Sequence, residues 1–530
     1  MTPLKPPQLS SRHVPVRQSL TLTHLRPSPH GILTLIIAAG FLLRLHAIDR
    51  LCLWFDEGIT VWKIHQPFGA IPFLVRSDTV PPLYYYILKT WTLFFAESDT
   101  SIRLLSAVLG TAVLPVVFLL GRLLFDRQTG LLAAFLLALS TYHVQYSQEA
   151  RSYALLFLCF GLSFYFLVQI VQSPGKRYWF GYIVSAILLI YSHGLSLVYL
   201  ASLNVCFLAQ RHTWKKHLLR RWVAANCVVL ATLVPWLFIY VRQISAFREQ
   251  TTLPAPSLSA LAHTLILLGS LPPSKQSLLP PALQGLSYSL PFIQVAWFTS
   301  IFFLFLEPLL RFLRSPSRSI GILYLLFVLP FALILILSLA VSSLYLDRLF
   351  LVCLIPLTLL LAARHQEPSR LPRLRLVFLC VYSLCSVLSL YSYYQSDWKE
   401  DYRSATGYLL TNAEPGDAVI FVAHVGEILF DWYSQGSRSD LLKLGVPEGI
   451  YERGEPDSGL IVRHPQDLSR LGRLHLPGRH VWLLRNRTYT HDPRELTRQW
   501  LDTHLQRMTS AQFVGIEVIC YRNDPSANRQ

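Results

Sequence analysis

Residues 103–121 read RLLSAVLGTAVLPVVFLLG, and this stretch decides the fold. It opens on Arg103, continues without a further charge to Gly121, and is followed by Arg122. A helix rises about 1.5 Å per residue, so a run of this length covers the roughly 30 Å hydrocarbon core of a bilayer. The stretch therefore predicts a transmembrane helix bounded by basic residues.

Comparable apolar runs recur along the chain, which has 530 residues, of which 52% are hydrophobic and only 15% charged. An ordinary soluble domain carries roughly a quarter charged residues. We therefore predict a mainly α, polytopic membrane helix bundle of about eleven spans. These lie near 31–49, 103–121, 129–146, 153–172, 178–192, 194–210, 222–241, 288–310, 319–342, 349–363 and 374–393.

Lys and Arg cluster in alternate loops between these runs and account for the net charge of +17. A nucleic-acid-binding protein would gather them on one folded polar face, so we expect no nucleic-acid partner. Basic loops stay cytoplasmic, which predicts a multi-pass plasma-membrane protein with a cytoplasmic N-terminus. The loops that follow this rule contain Arg122 and Arg127, Lys176 and Arg177, Arg211 to Arg221, Arg311 to Arg318, and Arg364 to Arg375.

The aromatic segment Pro82 to Glu97 is too short for a span, and its Tyr and Trp content is typical of an interfacial helix. Residues 50–102 then form one long outer loop. The predicted domains are a polar cytoplasmic tail (1–30), a transmembrane module (31–393) and an extracytoplasmic soluble domain (394–530).

The soluble domain is predicted to be α/β. Strands are expected at 418–423 (AVIFVA), 481–484 and 513–520, and a helix at 493–505. Six of the eight cysteines lie in apolar runs without the spacing of a zinc site. Cys52 and Cys520 alone are candidates for a long-range disulfide.

Ionisable residues on the predicted outer side converge from distant parts of the chain. The first loop contains Asp56 and Glu57 beside Trp54 and Phe55. Adjacent side chains on a helix diverge by about 100°, so we expect one acid to act and the other to cap or pair. The nearby aromatic rings would favour a carboxylate that serves as a base. A helix-capping acid next to an interfacial aromatic explains the same residues without a catalytic role.

Three cations are candidates for binding a phosphate in this layer: Arg151, Arg348 and Lys89. A guanidinium matches phosphate oxygens with a planar fork. Glu149 is a second-loop acid that can pair with Arg151, and Asp347 adjoins Arg348. The alternative reading is that the arginines anchor the protein at lipid headgroups, and that Lys89 faces water.

Oxygen and imidazole ligands for a divalent metal are offered by Asp78, before Pro81-Pro82, and by His193 at the outer end of its span. Helix capping by the first and a structural role for the second are the alternatives. Tyr84 and Tyr85 could contact a sugar or an acceptor, or belong to an aromatic belt. The sequence indicates no organic cofactor.

In order along residues 31–365, these motifs resemble the GT-C glycosyltransferases that use lipid-linked sugars, of the protein O-mannosyltransferase and aminoarabinose-transferase type. The resemblance rests on Asp56-Glu57, Pro81-Pro82-Leu-Tyr-Tyr, Arg103-Leu-Leu-Ser-Ala, Tyr146 to Tyr153 (YSQEARSY), Tyr191-Ser-His193 and Arg348. Many relatives carry His where this chain has Val80, a difference that bears on the metal.

The resemblance implies hexosyl or pentosyl transfer from a polyprenyl-phosphate sugar to a lipid, glycan or protein acceptor on the outer face, with inversion. Asp56 would take the acceptor's proton while lipid phosphate departs. Because the leaving phosphate gains charge, Arg348, Arg151 and a metal at Asp78 would stabilise it. Asp397 to Arg403 (DWKEDYR) resembles the entry to the outer domain of bacterial members.

A transporter and a non-catalytic scaffold for surface glycan assembly are the competing interpretations. A transporter is expected to carry ionisable or broken elements near mid-membrane. The spans here contain few such charges and no visible repeat. A scaffold would not need acids and arginines gathered on one face, so enzyme function is favoured.

Overall fold

A computed structural model gives the structure of the protein. It describes residues 29–77, 80–210, 216–241, 243, 256–270, 290–340, 343–363, 372–422, 425–437, 440–448, 461–473 and 479–522. The predicted cytoplasmic tail lies almost wholly outside these ranges.

The membrane module is built from helices. In chain order they are α1 (Pro29–Leu45), α2 (Phe55–His65), α3 (Ile71–Leu74), α4 (Leu83–Thr92), α5 (Asp99–Leu124), α6 (Arg127–Leu139), α7 (Thr141–Ser147), α8 (Tyr153–Gln172), α9 (Lys176–Ile190), α10 (Ser196–Leu208), α11 (Lys216–Ala231), α12 (Leu258–Leu268), α13 (Leu290–Arg314), α14 (Arg318–Ala340), α15 (Leu354–Ala362) and α16 (Pro372–Gln395). A 3-10 helix, Asp347–Cys353, precedes α15.

Six helices in the described ranges are long and apolar enough to cross a bilayer, and four shorter ones are also apolar. The six cover Asp99–Leu124, Tyr153–Gln172, His217–Val241, Pro291–Arg314, Arg318–Ala340 and Pro372–Gln395. The chain is a multi-pass membrane protein, mainly helical as predicted. The number of spans stays a prediction, because several of the predicted runs form short helices.

One predicted span is interrupted. The run 129–146 ends as a helix at Leu139, and Ser140 starts the separate helix α7 by accepting a hydrogen bond from the amide of His143 at 3.4 Å. Ser is a favoured residue at such a helix start because its hydroxyl satisfies an otherwise free amide. The break brings the loop with Glu149 and Arg151 back toward α2.

The aromatic segment Pro82 to Glu97 contains only a short helix, as predicted. Its aromatic helix α4 has ten residues, which corresponds to about 15 Å of length and is half of what a span needs. Helix α4 packs against α2 and α5. It therefore belongs to the face of the bundle that carries Asp56, which we term the site face.

The C-terminal domain is α/β, as predicted. Its five-stranded sheet has the order β2-β1-β3-β5-β4, in which β1 is parallel to β2 and β3, and β5 is antiparallel to β3 and β4. The strands are β1 (Ala418–Phe421), β2 (Leu442–Gly445), β3 (His480–Asn486), β4 (Gln506–Phe513) and β5 (Ile516–Arg522). The helices are α17 (Tyr402–Asn412), α18 (Val425–Ser434), α19 (Thr488–His491) and α20 (Leu496–His504).

Two expectations for this domain were wrong in detail. Residues 513–520 are not one strand, because a turn at Gly515, whose φ of +68° suits glycine, separates β4 from β5. Cys52 and Cys520 form no disulfide; both thiols are free and buried, and that of Cys52 contacts the carbonyl of Glu400.

Helix α18 fixes the domain on the membrane module by packing on α2. A Cβ at Gly58 would lie 2.9 Å from Leu429, so only glycine allows this approach. Asp99 accepts hydrogen bonds from Arg403 (2.7 Å), Trp432 (2.8 Å) and Tyr433 (2.8 Å) of the domain. The domain therefore contacts both α2, which begins with the acidic pair, and the start of α5.

Candidate active site

The acidic pair lies in the first turn of α2, which starts at Phe55. Negative charge is favoured there because the helix dipole places partial positive charge at its N-terminus. Asp56 is partly exposed, at 16% of its side chain, whereas Glu57 is fully buried. The two carboxylates point in different directions and have different partners.

The carboxylate of Asp56 faces two arginines that come from separate parts of the chain. Its Oδ2 lies 3.1 Å from a terminal nitrogen of Arg348 and 3.9 Å from one of Arg151. Arg151 also donates to the backbone carbonyl of Asp56 at 3.3 Å. One carboxylate oxygen therefore stands within reach of two guanidinium groups.

Local structure holds Arg348 in place. Arg348 occupies the 3-10 helix Asp347–Cys353, where its amide is capped by the carboxylate of Asp347 at 2.7 Å. Its guanidinium lies 5.8 Å from the ring centre of Tyr153, a cation–π geometry. The Nε of Arg348 is buried and has no hydrogen-bond partner among the described residues. One donor of Arg348 therefore makes no hydrogen bond within the described residues.

Glu57 is locked into a different network. Arg103 donates to both of its oxygens, at 2.8 and 2.6 Å, and the amide of Ala150 donates at 2.9 Å. Arg103 completes its fork on the carbonyls of Ile48, Leu51 and Cys52. Such a bidentate, fully bonded pair holds the start of α2 against α5 and the 148–152 loop.

Lys399 is a site residue that sequence reasoning missed. It lies in the entry to the C-terminal domain, and its Nζ reaches the second oxygen of Glu57 at 3.0 Å. Burial, with Arg103 nearby, lowers the pKa of Lys399, and Glu57 acts against this. The only sequence signal was the DWKEDYR motif at 397–403, which names no partner for the lysine.

The contacts with Arg103 and Lys399 make the carboxyl of Glu57 strongly acidic. Burial alone would raise its pKa, but Arg103 and Lys399 outweigh burial and lower the pKa to about 2. Glu57 therefore stays charged at any ordinary pH. An acid with so low a pKa is a poor acceptor of protons, which leaves Asp56 as the better candidate for a base.

Glu149 is buried in the 148–152 loop, outside the membrane-spanning helices, at 1% exposure. Its Oε2 has no hydrogen-bond partner among the described residues. Burial raises the pKa of Glu149 to about 7, with Lys399 opposing this and Glu57 adding to it. The site thus contains one carboxyl that is always charged and another that titrates near neutrality.

A stability measurement can check the state of Glu149. Its pKa is higher in the folded protein, so the folded state binds more protons between about pH 4.5 and 7, and stability falls as pH rises through this window. At about 1.4 kcal/mol per pH unit, the cost reaches roughly 3 kcal/mol above pH 7. Glu149→Gln should therefore be more stable than the wild type at pH 8 and lose that advantage at pH 5. Thermal unfolding in detergent would measure this, with the exposed Glu414→Gln as a control; an equal difference at both pH values would contradict it.

The structure does not bring Lys89 to this site. Its Nζ donates to the carbonyl of Ile64 at 2.6 Å, near the far end of α2. Ile64 is eight residues beyond Asp56, or about 12 Å along the helix axis. Lys89 caps α2 instead of facing the arginines, which argues against the phosphate contact expected for it.

The described contacts of Tyr84, Tyr85 and His193 are with residues other than Asp56. Tyr84 is buried and shares a hydrogen bond with Ser106 at 3.0 Å. The ring of Tyr85 stacks under Lys63, 4.9 Å from its Nζ. His193 accepts from the amide of Leu195 at 3.1 Å and lies 5.7 Å from the Tyr153 ring.

Of the two predicted metal ligands, Asp78 lies outside the described residues. Among the residues that the structure does describe, no group of three or more His, Cys, Asp or Glu side chains could hold a metal. The metal stays a prediction.

The electrostatics favour an anionic ligand. Arg103 and Lys399 are both paired with Glu57, whereas Arg151 and Arg348 share one oxygen of Asp56. An anion bound beside Asp56 would therefore meet two guanidinium groups.

The fold that carries this site is shared with known enzymes. ArnT from Cupriavidus metallidurans, solved with undecaprenyl phosphate, superposes with a TM-score of 0.56 at 13% identity, over 94% of this chain and 99% of that one. The chain has the GT-C glycosyltransferase fold. This is the fold that the resemblance of the motifs implies.

Further comparisons agree with the GT-C assignment. Residues 79–239 match the family described as dolichyl-phosphate-mannose-protein mannosyltransferase. An oligosaccharyltransferase of Archaeoglobus fulgidus in the apo form superposes with a TM-score of 0.53 at 12% identity, over 94% of this chain and 75% of that one. No curated protein matches the chain by sequence.

Proposed function

We propose that this chain transfers a hexosyl or pentosyl group from a polyprenyl-phosphate sugar to an acceptor at the outer face of the membrane, with inversion. One observation carries the proposal. The carboxylate of Asp56 lies 3.1 Å from Arg348 and 3.9 Å from Arg151, two arginines that can receive a phosphate. The GT-C fold and the undecaprenyl phosphate bound to ArnT support the donor class.

The reaction follows from the charges. An acceptor hydroxyl gives its proton to Asp56 while its oxygen attacks the anomeric carbon of the donor. The bond between that carbon and the phosphate oxygen breaks, and its electrons stay on the phosphate. Arg348 and Arg151 stabilise the charge that develops there, because preorganised donors in a site with little water act strongly.

The contacts of the two arginines support an exchange of partners. Both arginines face Asp56. A donor phosphate offers them a stronger acceptor, and the unbonded Nε of Arg348 is available to it. Transfer of the arginines to phosphate would release the carboxylate of Asp56 to take a proton. These steps use the chain's own side chains; a metal held by Asp78 remains a separate prediction.

The acceptor class is left as a lipid, a glycan or a protein. The predicted orientation puts the site face and the C-terminal domain outside, since alternate loops on the opposite face are basic.

The experiment is a donor assay on the purified full-length protein in liposomes. Polyprenyl phosphates bearing different hexoses and pentoses would be supplied with extracts of acceptor lipids, glycans and peptides, and release of polyprenyl phosphate measured. We expect turnover with at least one lipid-linked sugar and none with nucleotide sugars. Turnover with nucleotide sugars alone, or with no lipid-linked sugar, would overturn the proposal.

Replacement of Arg348 tests the phosphate contact. Arg348→Gln removes a charged donor from the leaving group, so kcat/KM for the donor should fall by about 10²–10³. Arg348→Lys should recover only part of this, since an ammonium lacks the planar fork. Steady-state kinetics at varied donor concentration would measure both variants. Arg498→Gln, on the C-terminal domain, is the matched control; an equal loss in that variant would point to a general effect of charge.

A further inference from the structure

A groove lies between α13 and α16 at the opposite membrane face from Asp56. Helix α14 ends shortly before the segment that carries Arg348, so its first residue, Arg318, lies at the opposite face. Only residues 315–317 separate it from the end of α13. The basic end of α13 and the start of α16 therefore meet far from the proposed catalytic site.

The groove has an apolar floor and a volume of about 360 Å³. Phe303 and Phe378 form its base, with their ring centres 4.5 Å apart, and Phe302 and Leu310 stand exposed along its side. These side chains lie on membrane helices, so the groove opens toward lipid. Its size and lining suit a hydrocarbon chain.

The end of the groove nearest the membrane surface is basic. Glu307, 15% exposed, holds Arg311 at 2.5 Å and also bonds Arg375, which donates further to the carbonyl of Leu361 at 2.8 Å. A carboxylate among apolar side chains on a membrane helix is costly without such partners. Glu307 thus fixes the Arg311 fork at the mouth of the groove.

Arg314, one turn further along α13, is exposed and makes no ion pair with any residue in the ranges that the structure describes. Within the described residues, one acid therefore faces three arginines, which leaves an excess of positive charge at this end of the groove. Basic residues at this face are expected to be cytoplasmic, where the leaflet is rich in anionic lipid.

We propose that this groove binds an anionic phospholipid of the cytoplasmic leaflet. The lipid phosphate bonds Arg311 and Arg314, and one acyl chain lies along Phe302, Phe303 and Phe378. Charge complementarity selects an anionic over a zwitterionic headgroup. The apolar floor selects a lipid over a free phosphate. This site is separate from the proposed transfer reaction and does not depend on it.

The test measures lipid retention by native mass spectrometry of the full-length protein extracted from nanodiscs. The nanodiscs would contain phosphatidylglycerol in phosphatidylcholine. The double variant Arg311→Gln/Arg314→Gln should bind phosphatidylglycerol about thirtyfold more weakly, since each basic residue near the surface contributes about a factor of five. Arg220→Gln, an exposed arginine of α11 outside the groove, is the control and should retain it.

Three further outcomes decide the proposal. Equal retention of both lipids by the wild type would overturn it. Displacement of phosphatidylglycerol by inorganic phosphate alone would also overturn it, because the groove would then contribute nothing. Phe378→Ala should weaken phosphatidylglycerol binding without removing the preference for an anionic headgroup. Circular dichroism on each variant verifies that the helices are intact, since all the substituted arginines are exposed or partly exposed.

Discussion

Asp56→Asn should lower kcat for sugar transfer by about 10²–10⁴, the range that a positioned general base contributes. An amide has nearly the same shape as a carboxylate but does not accept the acceptor's proton. The two arginines at 3.1 and 3.9 Å lose a charged partner in this variant. Donor binding should therefore be kept or become tighter while turnover falls.

A lower kcat with unchanged or tighter donor binding distinguishes a catalytic base from an acid with a structural role. Steady-state kinetics would give kcat, and binding of the polyprenyl-phosphate sugar to the purified variant would be followed directly. Asp49→Asn is the matched control, because Asp49 is exposed in the same outer region and its carboxylate bonds only Thr100 among the contacts described. Unchanged kcat in Asp56→Asn would remove Asp56 from the role of base. A loss of donor binding with unchanged kcat would assign it to positioning.

Much of the fold could be predicted because the membrane imposes its pattern on sequence. Long apolar runs such as 153–172 become α8 almost residue for residue, since a helix must satisfy its own backbone in lipid. The predicted span was wrong to run past Ser140 to residue 146. The sequence after Ser140 is mostly polar (141–147, TYHVQYS), and the serine hydroxyl caps α7.

The sequence predicts where the candidate site lies better than it predicts which side chains contact each other there. The expectation that one of two adjacent acids would pair follows from helix geometry, and the structure places Glu57 on Arg103. Which acid would pair depended on how α2 meets α5, and that is tertiary information. Lys399 was hidden for the same reason, since it comes to Glu57 from 342 residues further along the chain.

The same limit explains Lys89. Its position on an aromatic interfacial helix suggested a cation near the lipid phosphate. The packing of α4 on α2 instead turns its amine to the carbonyl of Ile64. A short helix can present its charged residue to either neighbour, and only the packing decides. Local sequence therefore identified the helix and not its direction.

The pairing of Glu57 with Arg103 carries the second large effect. Glu57→Gln keeps the shape of the side chain but leaves Arg103 and Lys399 buried without an anion. Removing one partner of a buried pair costs about 3–5 kcal/mol, because the other charge loses its compensation. Thermal unfolding in detergent should show this loss. The double variant Glu57→Gln/Arg103→Gln should recover part of it, since no charge from the pair then stays uncompensated.

The stability that Glu57 contributes should decrease at low pH. The pKa of Glu57 is about 2 in the folded protein, below its ordinary value near 4.5. Its contribution, about 3 kcal/mol, is therefore fully present above about pH 4.5 and declines as pH falls toward 2. The stability gap between the wild type and Glu57→Gln should narrow over that interval. A stability difference that stays constant from pH 6 to pH 3 would show that the charge of Glu57 does not hold α2 in place. The position of Asp56 on α2 would then depend on other contacts.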